Sequence, residues 1–162
     1  MKRQKAAAMA MIYIGGIALA LGLSSCTSAA STDARTGVEK GAFSPCPGSP
    51  NCVSSMESAG PAAIAPFDYG SMSREQALSR LLALIEEDSN STVVSREELE
   101  DGAIYVRAEY RSKLFRFVDD VEFLFPPASS LIHVKSASRV GYSDLGVNRN
   151  RVEELRMRFM RD

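Results

Sequence analysis

Tryptophan is absent from this 162-residue chain, histidine occurs once and cysteine three times. Each scarcity removes a class of chemistry. With His133 the sole histidine, any Ser-His-Asp mechanism must run through it. A zinc site at the cysteines lacks the further ligands it needs. An excess of either charge is missing too, with 19 Lys and Arg against 20 Asp and Glu. Three of the basic residues, Lys2, Arg3 and Lys5, sit in an N-terminal leader; without them the 19 fall to 16 and the charge is about −4. Such a balance supplies no electrostatic reason to bind nucleic acid. No internal repeat is present, and no cofactor is expected.

What is present begins with an address. Behind the three basic residues runs an uncharged apolar stretch at residues 6–23, followed by small residues. A basic n-region, an apolar h-region and a small-residue cleavage site make a secretory signal. A run of about 18 residues also has the length of a short membrane-spanning anchor. The stretch Leu23-Ser24-Ser25-Cys26 separates the two, because it resembles the bacterial lipobox, in which a branched apolar residue and two small ones precede the cysteine. Resemblance to lipoproteins implies that residues 1–25 are a removed signal peptide. It also implies that Cys26 is diacylated at its sulfur and acylated on its new amine. Even two lipid signals anchor a protein stably, so the expected partner is a membrane, reached through the lipid. Thr27 stands where enterobacterial lipoproteins retained at the inner membrane carry aspartate. The resemblance therefore implies the bacterial cell envelope, at the periplasmic face of the outer membrane.

Residues 26–42 are small and polar with no apolar period, and are expected to be a lipidated flexible tether. The domain is expected over residues 43–162. Near its start, Cys46 and Cys52 flank Pro-Gly-Ser-Pro-Asn. In an exported, oxidising compartment an even pair of cysteines reads first as a disulfide. A redox dithiol usually spaces its cysteines by two residues, not five. The closed loop is short, so the chain-entropy relation assigns the bridge about 2–2.5 kcal/mol. Ser49-Pro50 is a candidate cis bond.

The sequence Ser73-Arg-Glu-Gln76 is a capping box, and Ala77, Leu78, Leu81, Leu82 and Ile85 then recur at helical spacing. Strands are predicted at 92–96, 103–111, 121–125 and 132–135, with 114–117 extending the second past a bulge. In the second, Ile104, Val106, Ala108 and Tyr110 alternate with Tyr105, Arg107, Glu109 and Arg111. Asn148 is a good N-cap for a last helix burying Val152, Leu155 and Phe159. Short polar connections favour an antiparallel meander with one face buried and the other wet. The expected fold is α+β, a single two-layer domain. It has an antiparallel four-stranded meander with two helices on one face, preceded by a disulfide-closed loop.

Three stretches, CPGSPNCVSS at 46–55, FRFVDDVEFLF at 115–125 and SASRVGYSDLGVNRNRVEELR at 136–156, resemble the family called domain of unknown function 1499. The likeness runs over about residues 43–159 in the family's own order. It supports the exported lipoprotein reading and implies no activity, ligand or catalytic residue.

The residues themselves offer three chemistries. Gly141-Tyr-Ser143-Asp-Leu-Gly146 misses the Gly-x-Ser-x-Gly elbow by one residue, which spoils the register that exposes a nucleophilic serine. His133 shares strand parity with Lys135, on the more polar face. Asp119, Asp120 and Glu122 are hard oxygen ligands, yet calcium or magnesium wants more oxygens on a converging loop. Cross-strand pairing with Arg111, Lys113 and Arg116 is the simpler expectation, and neither a metal nor a catalytic residue is assigned. The third chemistry is a candidate polar or anion-binding site made by Arg139 at a strand end, Tyr142 and Asp144 in a turn, and Asn148, Arg149 and Arg151 at a helix start. Basic residues in a first turn oppose the macrodipole and ask for an anion. Asp144 or Asp120 answers from within, or a visiting anion does. The expected function is a lipid-anchored envelope module that binds an envelope partner. The alternatives are a small anionic ligand at Arg139 and Asn148, or a hydrolase using His133.

Overall fold

The computed structural model describes residues 36–161, so the expected signal peptide and the expected lipidation at Cys26 lie outside the described residues. A hairpin of β1 (Val38–Glu39) and β2 (Ala42–Phe43) comes first, then β3 (Cys52–Ser54) and β4 (Phe67–Asp68). Helix α1 (Arg74–Glu86) is followed by four eight-residue strands, β5 (Ser91–Glu98), β6 (Ile104–Arg111), β7 (Val118–Phe125) and β8 (Leu131–Ser138). Helix α2 (Val147–Phe159) closes the chain. The Ser73 side chain accepts from the Gln76 N–H, and the Gln76 side chain accepts from the Ser73 N–H, which completes the capping box.

The meander β5-β6-β7-β8 is present and antiparallel, but the sheet has six strands rather than four. Both extra strands pair with the outer edge of β8, β3 against residues 135–137 and β4 against 131–132. A bare β8 would leave a row of backbone donors and acceptors unpaired. Ser55 fills the gap between the two. Its N–H donates to the Val134 carbonyl at 2.8 Å, and its hydroxyl accepts from the Val134 N–H at 2.9 Å. Strands of three and two residues are too short to show a period of two, which is why alternation does not announce them. Residues 114–117 do not extend β6; they form the turn into β7. All peptide bonds among the described residues are trans, Ser49-Pro50 included.

One face of the sheet packs on the helices. Val106, Ala108, Val121, Phe123, Phe125, Ile132 and Val134 meet Ala77, Leu81 and Ile85 of α1 and Val152, Leu155 and Phe159 of α2. Phe67 of β4 lies fully buried among them, its ring 6.2 Å from Phe123 and 5.7 Å from Phe159.

The other face is not wet, and this corrects the two-layer expectation. The β1–β2 hairpin folds across it, Phe43 packing with Ala103, Tyr105 and Leu124 alongside Val38, Met56 and Leu99. Beneath that cover lie Glu122 and Lys135, paired across β7 and β8 and each 1% exposed. Residues 36–42 of the stretch expected to be tether thus belong to the fold, because two apolar side chains, Val38 and Phe43, flank a turn whose Gly41 has a positive φ of 78°.

Candidate functional site

The strand registers bring β3, the end of β8 and the start of α2 to one end of the sheet, and the arginines of that junction find partners within the chain, carboxylates for Arg139 and Arg151 and carbonyls for Arg149. Arg139 grips Asp120 with two nitrogens, at 2.8 and 2.9 Å, and Glu109 with one at 2.5 Å. Asp120 also receives Arg107 at 3.1 Å. The two carboxylates hold the Arg139 guanidinium charged, its pKa pushed above the ordinary arginine value chiefly by the Asp120 hydrogen bonds. Arg151 lies on the opposite face of the sheet. It donates to Asp119 at 2.6 Å and stacks over the Tyr110 ring at 4.9 Å. Burial pushes the Tyr110 phenol up to about 12. Arg149 donates to the carbonyls of Pro61 and Ala63 at 2.6 and 2.9 Å.

Asp144 does not pair with any of the three. Its carboxylate accepts the N–H of Gly146 at 2.9 Å and of Asn148 at 2.8 Å, so it, and not Asn148, caps α2. The turn that delivers it needs left-handed backbone at Leu145 and Gly146, with φ of 55° and 83°. Asn148 lies inside the helix and is fully buried. Its amide oxygen accepts from Ser136 at 2.5 Å and Arg151 at 2.7 Å. Its amide nitrogen donates to the Asn51 carbonyl, the Ser138 hydroxyl and Asp144. Asn51, which nothing in the sequence singled out, is 2% exposed and donates to the Gly141 carbonyl at 2.7 Å. Asn148 and Asn51 thereby lock the disulfide loop to the junction. The bridge between Cys46 and Cys52 is formed, with Cα atoms 5.7 Å apart. Tyr142, by contrast, is 76% exposed and stands apart from this network.

The acidic trio does not converge. Asp119 faces α2, whereas Asp120 and Glu122 face the other way, and no group of three metal-ligating side chains occurs among the described residues. Their partners are Arg151, Arg107, Arg139 and Lys135 rather than the expected Arg111, Lys113 and Arg116. Arg111 pairs with Glu109 instead.

His133 is half-buried, with its Nδ1 3.2 Å from the Ser55 hydroxyl. That serine already serves the β8 ladder, and no carboxylate contacts the imidazole among the described residues. Burial pulls the imidazole below its ordinary pKa. The unfolded chain thus takes up a proton near pH 6.5 that the folded chain holds off. This share of stability is present above about pH 6.5 and is lost as the pH falls below it. In thermal melts between pH 5 and 7, His133→Asn should flatten the acid limb. An unchanged slope would show that other groups set it.

A cleft of about 400 Å³ opens at the same end of the domain. Its walls are the disulfide loop, residues 57–62, and residues 143–149 at the start of α2, with Asp144 and Arg149 among the lining side chains. Two of the three stretches that carried the family resemblance thus face each other across one opening. The sequence model of the family described as a protein of unknown function, DUF1499, matches residues 42–159. This chain belongs to the DUF1499 family. No curated protein and no solved structure matches it. The DUF1499 domain accounts for nearly everything described above, from β2 to the last residue of α2. Among the described residues no helix is long and apolar enough to cross a membrane.

Proposed function

We propose that this DUF1499 protein is a lipid-anchored component of the cell envelope that acts by binding, and that the cleft between the disulfide loop and the start of α2 receives an envelope partner. The observation that carries the proposal is the cleft itself, about 400 Å³, walled by the disulfide loop and by the 143–149 turn. The machinery around it holds shape: a disulfide, a buried asparagine hub and a helix cap, with Arg149 tying residues 61 and 63 to α2. Preorganised walls reduce the ordering cost of association. An anionic ligand at Arg139 and Asn148 is less well supported, since Arg139 is held by Asp120 and Glu109 and the Asp144 carboxylate fills the helix N-terminus. Hydrolysis at His133 has a serine but, among the described residues, no carboxylate to orient the imidazole.

A photo-crosslinking amino acid at Ser143, in the cleft, tests the reading in intact cells. A discrete adduct is expected from Ser143 and none from Met157, which is exposed on α2 away from the cleft. Equal adducts from both positions, or none, would remove the cleft as the contact site. Mass measurement of the mature protein tests the anchor, which requires acylation at Cys26.

A further inference from the structure

Where β6 turns into β7, the chain shows solvent what the core does not claim. Leu114, Phe115 and Phe117 are 79%, 68% and 54% exposed, and the two rings stack 5.5 Å apart. The turn has a defined shape. The Ser112 N–H donates to the Phe117 carbonyl at 2.8 Å, and the Ser112 hydroxyl accepts from the Phe117 N–H at 2.9 Å. Arg116 adopts a φ of 58°, which L residues other than Asn and Asp use sparingly. The end of β8 lies beside it, the Arg139 N–H donating to the Val118 carbonyl, so the segment after β8 emerges at the same end. That segment exposes Val140, Tyr142 and Leu145. Six of the ten exposed large apolar side chains among the described residues therefore sit at one end of the domain. Singly scattered exposure needs no explanation, but such concentration does.

The charges interleaved with the tip have one sign. Residues 111–118 read RSKLFRFV, without an acidic residue. Neither Lys113 nor Arg116 has an ion-pair partner among the described residues, and the nearby Glu109 is taken by Arg111 and Arg139. Aromatic and aliphatic side chains flanked by unpaired basic ones suit the boundary of an anionic bilayer, where rings enter the acyl edge and cations meet phosphate.

We propose that this end of the domain docks on a bilayer surface containing anionic phospholipid, with Leu114, Phe115 and Phe117 entering the headgroup boundary and Lys113 and Arg116 meeting lipid phosphates. The contact adds a second attachment to the lipid anchor proposed above and rests on that anchor only for proximity. The ten residues 26–35 span at most about 33–36 Å. Gly37 is fastened to Glu122, and Val118 lies four residues back along β7, about 13 Å away. A chain anchored at Cys26 thus keeps the tip within reach of its own membrane.

Because the chain has no tryptophan, Phe115→Trp installs a sole reporter. The full-length protein is reconstituted in vesicles of phosphatidylcholine and phosphatidylglycerol bearing brominated acyl chains. Emission from the Phe115→Trp chain should be strongly quenched, whereas emission from Met157→Trp should not. Adding Lys113→Gln and Arg116→Gln should weaken the docking equilibrium by about 30-fold. Full emission from Phe115→Trp, or equal quenching at both positions, overturns the proposal. So does an emission change seen only in native membranes and never in protein-free vesicles, which would assign the tip to a protein partner. The mass of the reconstituted protein separates this proposal from the anchor. An unacylated chain with a quenched tip removes the anchor and keeps the docking; an acylated chain with a bright tip does the reverse.

Discussion

Lys135→Met is expected to lower the unfolding free energy by about 3–5 kcal/mol and the melting temperature by roughly 10–20 °C for a domain of this size. The ammonium of Lys135 lies 3.3 Å from Glu122, and both side chains are 1% exposed. The Glu122 carboxylate also accepts from the Tyr105 hydroxyl at 2.8 Å and the Gly37 N–H at 2.5 Å. Those two donors persist in the variant, but neither carries charge. Removing the cation leaves a carboxylate stranded between the sheet and the hairpin that covers it, and an uncompensated buried charge costs far more than a surface pair is worth. Adding Glu122→Gln should restore most of the loss, since the amide oxygen still accepts both hydrogen bonds and no charge remains buried. Urea titration of the three proteins checks this. A Lys135→Met loss below about 1 kcal/mol would mean that water reaches the pair.

The same substitution has a local signature. Lys135 donates to the Ser44 hydroxyl at 3.0 Å, and Glu122 holds Gly37, so the pair fastens both ends of the β1–β2 hairpin. Weakening it should free amide exchange in residues 37–44 before the rest of the domain opens.

Local chemistry was legible in the sequence. Ser73 and Gln76 satisfy each other within one turn, so four residues suffice to read that helix start. The long strands are legible for a related reason, since the alternation in β6 assigns Val106 and Ala108 to the helix side without knowledge of any partner. Pairings between distant elements are a different matter. Asp119 and Asp120 are adjacent and chemically equivalent, yet their side chains leave opposite faces of β7. Arg139 therefore takes Asp120 while Arg151 takes Asp119. Only register decides which, and neither residue's type carries it. The dry far face is not legible because its cover is a two-residue-per-strand hairpin, and the edge strands β3 and β4 are not because neither is long enough to alternate. In the junction, the polar composition correctly marked a special place. The sequence leaves open whether its arginines meet carboxylates of the chain or a visiting anion. In the structure Arg139 and Arg151 take Asp120 and Asp119, and Ser136 and Ser138 bond Asn148, while Val140, Tyr142 and Leu145 face solvent.

Asn148→Ala is expected to cost about 3 kcal/mol, and the outcome for Asn148→Asp tells which role the residue plays. Were Asn148 the N-cap of α2, aspartate would replace it with little effect. In the structure that task belongs to Asp144, whose carboxylate lies 2.7 Å from the Asn148 amide nitrogen. Alanine strands the buried Ser138 hydroxyl and weakens the hold on Ser136, while Arg151 keeps Asp119 and Asp144 keeps the backbone N–H. One stranded polar group, lost hydrogen bonds and a small void together account for the figure. Aspartate retains the acceptor that serves Ser136 and Arg151, but it turns the donor into an oxygen facing the Asp144 carboxylate, the Ser138 hydroxyl and the Asn51 carbonyl. Two of those three can only accept, and one carries like charge, so Asn148→Asp should be at least as destabilising as alanine in urea titration at neutral pH. Near-native stability of the aspartate variant would return Asn148 to the capping role its position in the sequence suggests. Destabilisation at least equal to that of alanine would establish it as the buried joint between the disulfide loop, β8 and α2, on which the shape of the cleft depends.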